Sequence, residues 1–330
     1  MKLPRFKYVD PTSLAKACRL LEAHGEEAMV IAGGTDLLQA LKNRLKMPTV
    51  LVDLKNLPRL GVLTYSESKG LTIGAMVSLR HLANSPVVKD KYPVLAQAAL
   101  QVASPQLQSM GTVGGNLCQD NLCLYYNRSP MVRASLEPCL KMGGDVCHAV
   151  SGSKDCWAVY SGDLAPVLMT LGAQVSITDT RGKEIIPLRS FYSGDGKKPN
   201  VLEPGRVVTA IRVPPPAPHS GAAYFKLRLR KVMDYALLGV AANVSLRNGV
   251  CEAAGLALTG IDKAPLWIQE AQSLVGKRIG DEEIMKLADA AHRRAHPLNN
   301  VSELTPKYRR DMIDVYTRLA IERACETAVR

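Results

Sequence analysis

Five of the eight cysteines fall within one stretch of the sequence, between Gly111 and Leu164. They are Cys118, Cys123, Cys139, Cys147 and Cys156. Thiolates bind zinc and iron–sulfur clusters, and a reducing cytosol keeps structural thiols from forming disulfides. Because the N-terminus lacks the apolar segment of a secretory signal, we place the chain in the cytoplasm. The clustering of cysteines therefore predicts a metal site rather than a set of disulfides.

Two glycine-containing loops could bind an anion through their backbone. The segment Gly33 to Asp36 follows an apolar run at 28–32 and precedes a helical pattern at 37–45, and a second loop spans 111–116. Glycines let a backbone approach a phosphate closely, and N–H groups at a turn or a helix start can then bind it. The first loop alone is also typical of a plain turn, and it lacks the GxGxxG pattern of dinucleotide-binding proteins.

The elements around the first loop predict a small βαβ unit in residues 1–57. Asp10 and Pro11 are typical of a helix start and Gly25 of its end, and 28–32 and 49–53 are typical of buried strands. A second unit is expected over 58–216, where the patterns predict two strands and then two helices: 62–65, 71–74, 78–82 and 92–102.

A proline-rich connector at 213–218 predicts the last domain boundary, which leaves a third unit at 217–330. In that unit the patterns predict three strands and two helices: 224–231, 237–247, 251–259, 282–295 and 306–329. Alternation along the first of these strands would place Lys226, Arg228 and Arg230 on one face.

Three other cysteines and one pair of histidines have simple explanations. Cys18 lies on the apolar face of the first predicted helix, and Cys251 and Cys325 are isolated, so we expect all three in the core. His292 and His296 have i, i+4 spacing, which could hold a metal. Because the glutamate of an HExxH motif is missing and two arginines lie between the histidines, a solvated helix is favoured.

The formal net charge of +12 is local rather than general. Residues 181–232 contain eleven Lys or Arg against Glu184, Asp195 and Glu203, which gives +8. Such a segment could steer an acidic partner or could be a plain solvated surface. The candidates for exposed docking residues are Lys183, Arg189, Lys197 and Lys198. No apolar run is long enough to predict a membrane span.

Five segments carry a resemblance to a known family. They are VIAGGTDL at 30–37, LTIGAMVSL at 71–79, GTVGGNLC at 111–118, SGDLAPVLMTLGA at 161–173 and FKLRLRKVMDYAL at 225–237. In this order they resemble the FAD-binding subunits of the molybdenum hydroxylases, a family that includes xanthine dehydrogenase and carbon monoxide dehydrogenase. The resemblance covers nearly the whole chain.

The resemblance implies an α+β protein with a two-subdomain FAD-binding fold of the PCMH/vanillyl-alcohol-oxidase type. A C-terminal α+β domain of the CO dehydrogenase flavoprotein type would lie beside it. Asp163 would bind the adenosine side of FAD, Val208 would lie against the flavin, and Lys226 would approach it. The pyrophosphate and ribityl parts would be held by Val30, Ile31, Ala32, Gly33, Gly34, Thr35, Asp36, Leu37, Thr112, Val113, Gly114, Gly115 and Asn116. No catalytic residue is expected in an electron relay.

An insertion distinguishes this sequence from most of the family. The GGNLC motif usually runs within a few residues into the SGDL segment, whereas residues 119–160 intervene here. Cys118 belongs to the shared loop, so the candidate ligands are Cys123, Cys139, Cys147 and Cys156. Four thiolates suit a tetrahedral Zn²⁺ or a [4Fe–4S] cluster, and the spacings match neither a ferredoxin nor a zinc ribbon. A redox cluster is favoured because the flavin beside it carries electrons.

A cysteine-bearing insertion at this place resembles the β subunit of 4-hydroxybenzoyl-CoA reductase. The resemblance implies an FAD and [4Fe–4S] oxidoreductase subunit of anaerobic aromatic degradation. Electrons would pass from a reduced, acidic ferredoxin toward a molybdenum subunit that dehydroxylates 4-hydroxybenzoyl-CoA to benzoyl-CoA. Molybdopterin would belong to that large subunit and a [2Fe–2S] cluster to a small one, in a heterohexamer of two heterotrimers.

Two other functions stay open at this stage. One is the FAD subunit of a xanthine dehydrogenase-like hydroxylase that passes electrons to NAD or a quinone, with a structural zinc in the insertion. The other is a basic scaffold or nucleic-acid binder without enzymatic activity. An aromatic content of 5% argues against a base-stacking platform, and we expect no nucleic-acid partner.

Overall fold

The computed structural model describes residues 2–301 and 304–329 of the chain. Its N-terminal layer is a parallel sheet in the order β1-β3-β2, formed by β1 (Lys7–Val9), β2 (Ala28–Ile31) and β3 (Val50–Asp53). Two helices make the connections, α1 (Leu14–His24) and α2 (Leu37–Lys42). The expected βαβ arrangement is therefore confirmed, with a third parallel strand at the start of the chain.

The start of α1 differs from the sequence-based expectation. The helix begins after Ser13 rather than at Asp10, because the Ser13 hydroxyl accepts a hydrogen bond from the N–H of Lys16 at 3.3 Å. Gly25 ends the helix as expected, with a φ of 53° that favours glycine.

A five-stranded antiparallel sheet forms the central layer, in the order β4-β5-β8-β6-β7. Its strands are β4 (Leu63–Ser66), β5 (Gly70–Gly74), β6 (Gln174–Thr178), β7 (Lys183–Pro187) and β8 (Val207–Val213). Between β5 and β6 run α3 (Leu79–Asn84), α4 (Pro86–Lys91), α5 (Pro93–Leu100), α6 (Pro105–Met110), α7 (Val113–Leu117), α8 (Pro130–Ala134) and α9 (Leu164–Thr170). The main core lies between this sheet and the apolar faces of α5 and α9.

The C-terminal layer is a four-stranded antiparallel sheet in the order β12-β11-β10-β9. Its elements are β9 (Ser220–Leu227), β10 (Leu238–Arg247), β11 (Val250–Thr259), β12 (Leu266–Trp267), α10 (Asp281–Arg294) and α11 (Pro306–Ala328). One face of the sheet buries apolar side chains against α10 and α11, and Tyr224, Ala241 and Ala257 on the other face join the main core.

Strand β9 begins and ends four residues earlier than its sequence pattern indicates. It ends at Leu227, because the Asp234 carboxylate accepts hydrogen bonds from the N–H groups of Leu229 and Arg230, each at 3.0 Å, and so closes a turn. The expectation that Arg228 and Arg230 share a strand face with Lys226 is therefore wrong. Lys226 itself is buried, which also excludes a solvated edge position for its side chain.

The isolated cysteines have the simple role expected of them, whereas the two histidines do not share a helix as expected. Cys18 and Cys251 are buried, and Cys325 packs against the C-terminal core. Helix α10 ends at Arg294, so His296 lies beyond it, and the two histidines pair with different carboxylates, His292 with Asp314 and His296 with Asp262. In the described part of the chain, no helix has the length and apolar character needed to cross a membrane.

Candidate cofactor-binding site

The two glycine loops contact each other, although they follow different sheets. A Cβ atom added at Gly33 would overlap with the carbonyl oxygen of Met110, at the end of α6. A Cβ added at Gly111 would lie 3.7 Å from the hydroxyl oxygen of Thr35. Only a residue without a side chain permits the first of these approaches. The contact places both loops side by side.

The first loop presents free hydrogen-bond donors. Within the residues that the structure describes, the backbone N–H groups of 32–36 donate to no protein acceptor. Gly34 has a φ of 74°, which turns the chain between strand β2 and helix α2. Backbone N–H groups require partners, and a run of free ones at a turn is typical of an anion site. This loop therefore fits a phosphate group.

The second loop has already used its donors inside the protein. The N–H groups of 113–116 donate to Val77 O, Ala75 O, Thr112 Oγ1 and Thr112 O, at 2.9 to 3.0 Å. The expectation that both loops offer backbone donors is thus corrected, because only the first loop does so over its length. The second loop instead offers an exposed glycine, Gly115, whose missing Cβ would face open space apart from Thr112 Oγ1 at 3.0 Å.

Two further predicted residues lie next to these loops. Asp36 starts α2 and is exposed, yet desolvation by the surrounding protein raises the pKa of its carboxyl, and the charge of Asp120 adds to the shift. Val208 lies on β8 and is buried in the main core, and the carbonyl of the next residue, Thr209, accepts a hydrogen bond from Ala75. A contact between Val208 and a flavin stays a prediction.

Asp163 and Lys226 form a buried ion pair. The ammonium of Lys226 donates to Asp163 Oδ2 at 2.9 Å and to the carbonyl of Gln101 at 2.9 Å. The hydroxyl of Tyr224 donates to Asp163 Oδ1 at 2.7 Å. Burial raises the pKa of the Asp163 carboxyl, and the neighbouring Lys226 and Tyr224 oppose that shift. The structure thus brings together two residues that the sequence assigned to different parts of FAD, and these assignments stay predictions.

Two tyrosines behind the second loop were not identified from the sequence. The hydroxyls of Tyr160 and Tyr192 lie 3.1 Å apart, and Tyr160 donates to the carbonyl of Asn116 at 3.1 Å. Cys118 lies beside them, and burial raises the pKa of its thiol to about 12. Tyrosines have no local motif, so only the fold reveals that these two support the loop.

The four cysteines of the insertion line one pocket: Cys123, Cys139, Cys147 and Cys156. Burial raises the pKa of the Cys123 thiol, and the nearby Cys139 and Cys147 raise it further. Burial likewise raises the pKa of Cys156, where Lys141 opposes the shift and Cys123 and Cys147 add to it. The four candidate ligands are therefore neighbours in space, whereas Cys118 is not among the residues that line this pocket.

Hydrogen bonds close the neck of the insertion. Leu122 and Val159 exchange two backbone hydrogen bonds of 2.8 Å. The amide of Asn121, which is fully buried, donates to the carbonyls of Ala158 at 3.0 Å and Lys263 at 2.7 Å. The two ends of the insertion are thereby held together and tied to the C-terminal layer.

The body of the insertion rests on the end of α2. The guanidinium of Arg133 donates to the carbonyls of Asn43 at 2.8 Å and Arg44 at 3.3 Å, where a helix leaves carbonyls without partners. The hydroxyl of Tyr126 donates to the carbonyl of Leu45 at 3.3 Å. Since α2 begins at the first glycine loop, the thiol pocket and that loop lie at opposite ends of one short helix.

The thiols are not arranged around a single ion. Among the described residues, no three His, Cys, Asp or Glu side chains are close enough together to hold one metal ion. In a tetrahedral zinc site the Zn–S bonds are about 2.3 Å long, which puts the sulfurs about 3.8 Å apart. The four thiols share a pocket without that geometry.

Comparison with known families identifies the cofactor. The sequence matches the FAD binding domain in molybdopterin dehydrogenase over residues 4–216. The chain belongs to the FAD-binding medium subunits of the molybdenum hydroxylases. A second match, the CO dehydrogenase flavoprotein C-terminal domain, covers residues 223–324 of this medium subunit. FAD is thus the cofactor of this subunit, and binding of its pyrophosphate by the free donors of the first loop stays a prediction.

Individual proteins of this family match over nearly their full length. The medium subunit is 32% identical to the carbon monoxide dehydrogenase medium chain of Afipia carboxidovorans, over 97% of this chain and 96% of that one. It is 28% identical to the 6-hydroxypseudooxynicotine dehydrogenase complex subunit alpha of Paenarthrobacter nicotinovorans, over 99% and 97%.

Solved structures confirm the expected fold class. Reconstituted CO dehydrogenase from Oligotropha carboxidovorans matches with a TM-score of 0.82 and 29% identity, over 99% of this chain and 100% of that one. Quinoline 2-oxidoreductase from Pseudomonas putida 86 matches with a TM-score of 0.77 and 28% identity, over 100% of both chains. The medium subunit therefore has the two-domain, PCMH-type FAD-binding fold.

We expect Gly115→Val to remove most of the bound FAD. The added side chain would project from the exposed face of the second loop and block close approach of the cofactor. The measurement is the flavin content of the purified subunit. Gly61→Val is the control, because Gly61 is also exposed and a Cβ there would meet no protein atom within 4 Å, whereas a Cβ at Gly115 meets only Thr112 Oγ1. Full flavin occupancy in Gly115→Val would show that this face does not contact FAD.

We expect Lys226→Met to lower the free energy of unfolding by about 3–5 kcal/mol, since it leaves the buried Asp163 carboxylate without its cation. The double variant Asp163→Asn with Lys226→Met should lose less, because it buries no unpaired charge. Urea unfolding measures both, and Lys231→Met, at an exposed lysine of the following loop, serves as control. Equal losses in the single and double variants would contradict this account.

Proposed function

We propose that this medium subunit carries both FAD and a [4Fe–4S] cluster and belongs to a molybdenum-containing 4-hydroxybenzoyl-CoA reductase. It would relay electrons from a reduced ferredoxin toward a molybdenum subunit that dehydroxylates 4-hydroxybenzoyl-CoA to benzoyl-CoA. The single observation that supports the second cofactor is the pocket lined by Cys123, Cys139, Cys147 and Cys156. The substrate rests on the resemblance of the insertion alone.

The donor set fits a cluster better than a zinc ion. Four thiolates are the usual ligands of a [4Fe–4S] cluster, and the four cysteines line one pocket although the described residues lack the geometry of a single-ion site. When bound, the cluster supplies one-electron transfer, and FAD supplies exchange of either one or two electrons. Thiol ligands also require a reducing compartment, which supports a cytoplasmic location.

Contacts within the chain link the first glycine loop to the thiol pocket. Among the described residues, the N–H groups of 32–36 have no protein acceptor, and α2 leads from this loop to the carbonyls that Arg133 and Tyr126 bind. At the neck of the insertion, Asp120 pairs with Lys46 at 3.6 Å, just beyond α2. These contacts tie the thiol pocket to the helix that starts at the first glycine loop, which supports the proposed electron relay.

Partner subunits follow from the proposed activity. A large subunit would hold molybdopterin and the acyl-CoA substrate, and a small subunit would hold a [2Fe–2S] cluster, in a heterohexamer of two heterotrimers. The relative from Afipia carboxidovorans supports this proposal, because it is itself described as a medium chain. Residues 2–301 and 304–329 of the chain contain no membrane-crossing helix, which is compatible with such an assembly.

A second function is favoured by the names of the relatives. Several are dehydrogenases, including the nicotinate dehydrogenase FAD-subunit of Eubacterium barkeri, at 28% identity over 82% of this chain and 79% of that one. On this alternative the subunit passes electrons from a hydroxylase reaction to NAD or a quinone, and the insertion holds a structural zinc. Metal analysis of the anaerobically purified protein separates the two: iron with sulfide supports the reductase, and zinc alone excludes the cluster.

We expect Cys139→Ser or Cys147→Ser to lower the iron content of the anaerobically purified protein and to bleach its visible absorption outside the flavin bands. A hydroxyl is a poor substitute for a thiolate on iron, and lost ligation removes the folding energy of the bound metal. Cys118→Ser is the matched control and should leave iron unchanged, since Cys118 lies against Tyr160 and Tyr192 rather than in the pocket. Iron loss in Cys118→Ser with none in Cys139→Ser would contradict this ligand set.

Exposed charge beside the pocket supports an acidic ferredoxin as the electron donor. Lys197 and Lys198 are exposed, and they follow Gly196, whose backbone lies against that of Cys156. Lys183 and Arg189 are also exposed, but Lys183 lies on β7 and Arg189 stacks on Trp267 at 4.7 Å. Of the four basic residues expected to steer a partner, Lys197 and Lys198 are thus the two that directly follow a residue in contact with the wall of the thiol pocket.

We expect the double variant Lys197→Glu with Lys198→Glu to slow reduction of the subunit by an acidic ferredoxin roughly tenfold at low salt, and much less at high salt. Stopped-flow reduction kinetics measure the rate, with iron and flavin contents determined on the same samples. Lys286→Glu with Lys307→Glu is the control, because it makes the same change in net charge on exposed C-terminal helices. An equal effect in the control would show that overall charge, not this segment, steers the donor.

A further inference from the structure

Lys141 has an unusual position for a lysine. Its side chain is only 3% exposed, and it lines the thiol pocket between two of the candidate ligands in sequence, Cys139 and Cys147. Its ammonium donates to Asp120 Oδ1 at 2.7 Å, to the carbonyl of Asn121 at 2.9 Å and to the carbonyl of Gly196 at 3.0 Å. An ammonium has three hydrogens, so its donors are fully used.

These hydrogen bonds join three separate segments. Asp120 and Asn121 form the neck of the insertion, Lys141 lies in the turn that carries Cys139, and Gly196 belongs to a loop of the central layer. A Cβ at Gly196 would overlap with the carbonyl oxygen of Cys156 and lie 2.8 Å from the N–H nitrogen of Ala158. Lys141 therefore fixes the backbone on two sides of the pocket.

The charge of Lys141 is only partly neutralised. Among the described residues, its one carboxylate partner is Asp120, which is 38% exposed and is shared with Lys46 at 3.6 Å. Its other hydrogen-bond and ring contacts there are two carbonyls and the face of the Tyr126 ring, whose centroid lies 5.0 Å from the ammonium. A cation held in such a site acts on nearby charges with little screening by water. Burying it is costly, and a merely structural link would not require a charge.

We propose that Lys141 is a positioning residue that also stabilises the reduced state of the group held by the four cysteines, an inference that rests on the proposed function. Arrival of one electron from a low-potential one-electron donor adds one negative charge to the thiolate-bound cluster and takes up no proton. A fixed positive charge at the wall of the pocket favours that added charge and so raises the reduction potential.

Two variants with opposite expected effects test the inference. Lys141→Met removes the cation and should shift the midpoint potential of the iron–sulfur signal to more negative values. Asp120→Asn keeps the cation but removes its carboxylate partner, and should shift the potential to more positive values. The measurement is a dithionite titration of the holoprotein followed by electron paramagnetic resonance, with iron and sulfide determined in parallel.

The controls separate this inference from the proposed function. Lys154→Met changes an exposed lysine of the same insertion and should leave the potential unchanged. If the wild-type protein contains no iron, the proposed function fails, and this inference with it. If the wild type is loaded and Lys141→Met retains iron at an unchanged potential, only the role of Lys141 is overturned. If Lys141→Met loses its iron, Asp120→Asn decides, because an unchanged potential there also overturns the inference.

Discussion

The absence of a side chain at Gly33 is the constraint on which both sites depend. It lets the first glycine loop lie against the carbonyl of Met110 and so joins the parallel sheet to the helices of the central layer. The same loop starts α2, a helix of six residues that spans about 9 Å. At its far end lie the carbonyls that accept hydrogen bonds from the insertion. One short segment therefore carries free N–H groups at its start and supports the thiol pocket at its end.

Buried charge fixes the geometry around this segment at an energetic cost. Two ion pairs each remove at least one ionised group from water: Asp163 with Lys226, and Asp120 with Lys141. This desolvation costs free energy that apolar side chains in the same places would not lose. Each ammonium also binds a backbone carbonyl of a separate segment, Gln101 for Lys226 and Gly196 for Lys141. Because such a pair is strongly destabilised when one partner moves away, it defines one relative position of the segments. This specificity explains why charges lie beside both sites.

The sequence predicted the elements better than the contacts between them. Apolar periodicity located the strands around residues 28 and 50 and the long C-terminal helices, because local patterns of burial determine these elements. The sequence pattern placed the start of α1 at Asp10 rather than Ser13, and it extended β9 past Leu227. In both cases several polar side chains could have accepted the backbone hydrogen bond, and only the folded geometry determines which one does so. Helices of five or six residues, such as α6 and α7, are too short for a periodic signal.

In the candidate site, too, the sequence reveals the type of residue but not the partners that the fold brings to it. Both glycine loops could be found from composition, yet their difference could not, since the acceptors that occupy the second loop, at Ala75 and Val77, come from a distant strand end. Likewise, the irregular spacing of the four cysteines reflects their origin in separate turns, which only the closed neck at Leu122 and Val159 brings together. Several hydrogen bonds hold these turns around the four thiols. They also fix the position of the Lys141 ammonium at the wall of the pocket, which is the condition under which the proposed effect of that single charge would operate.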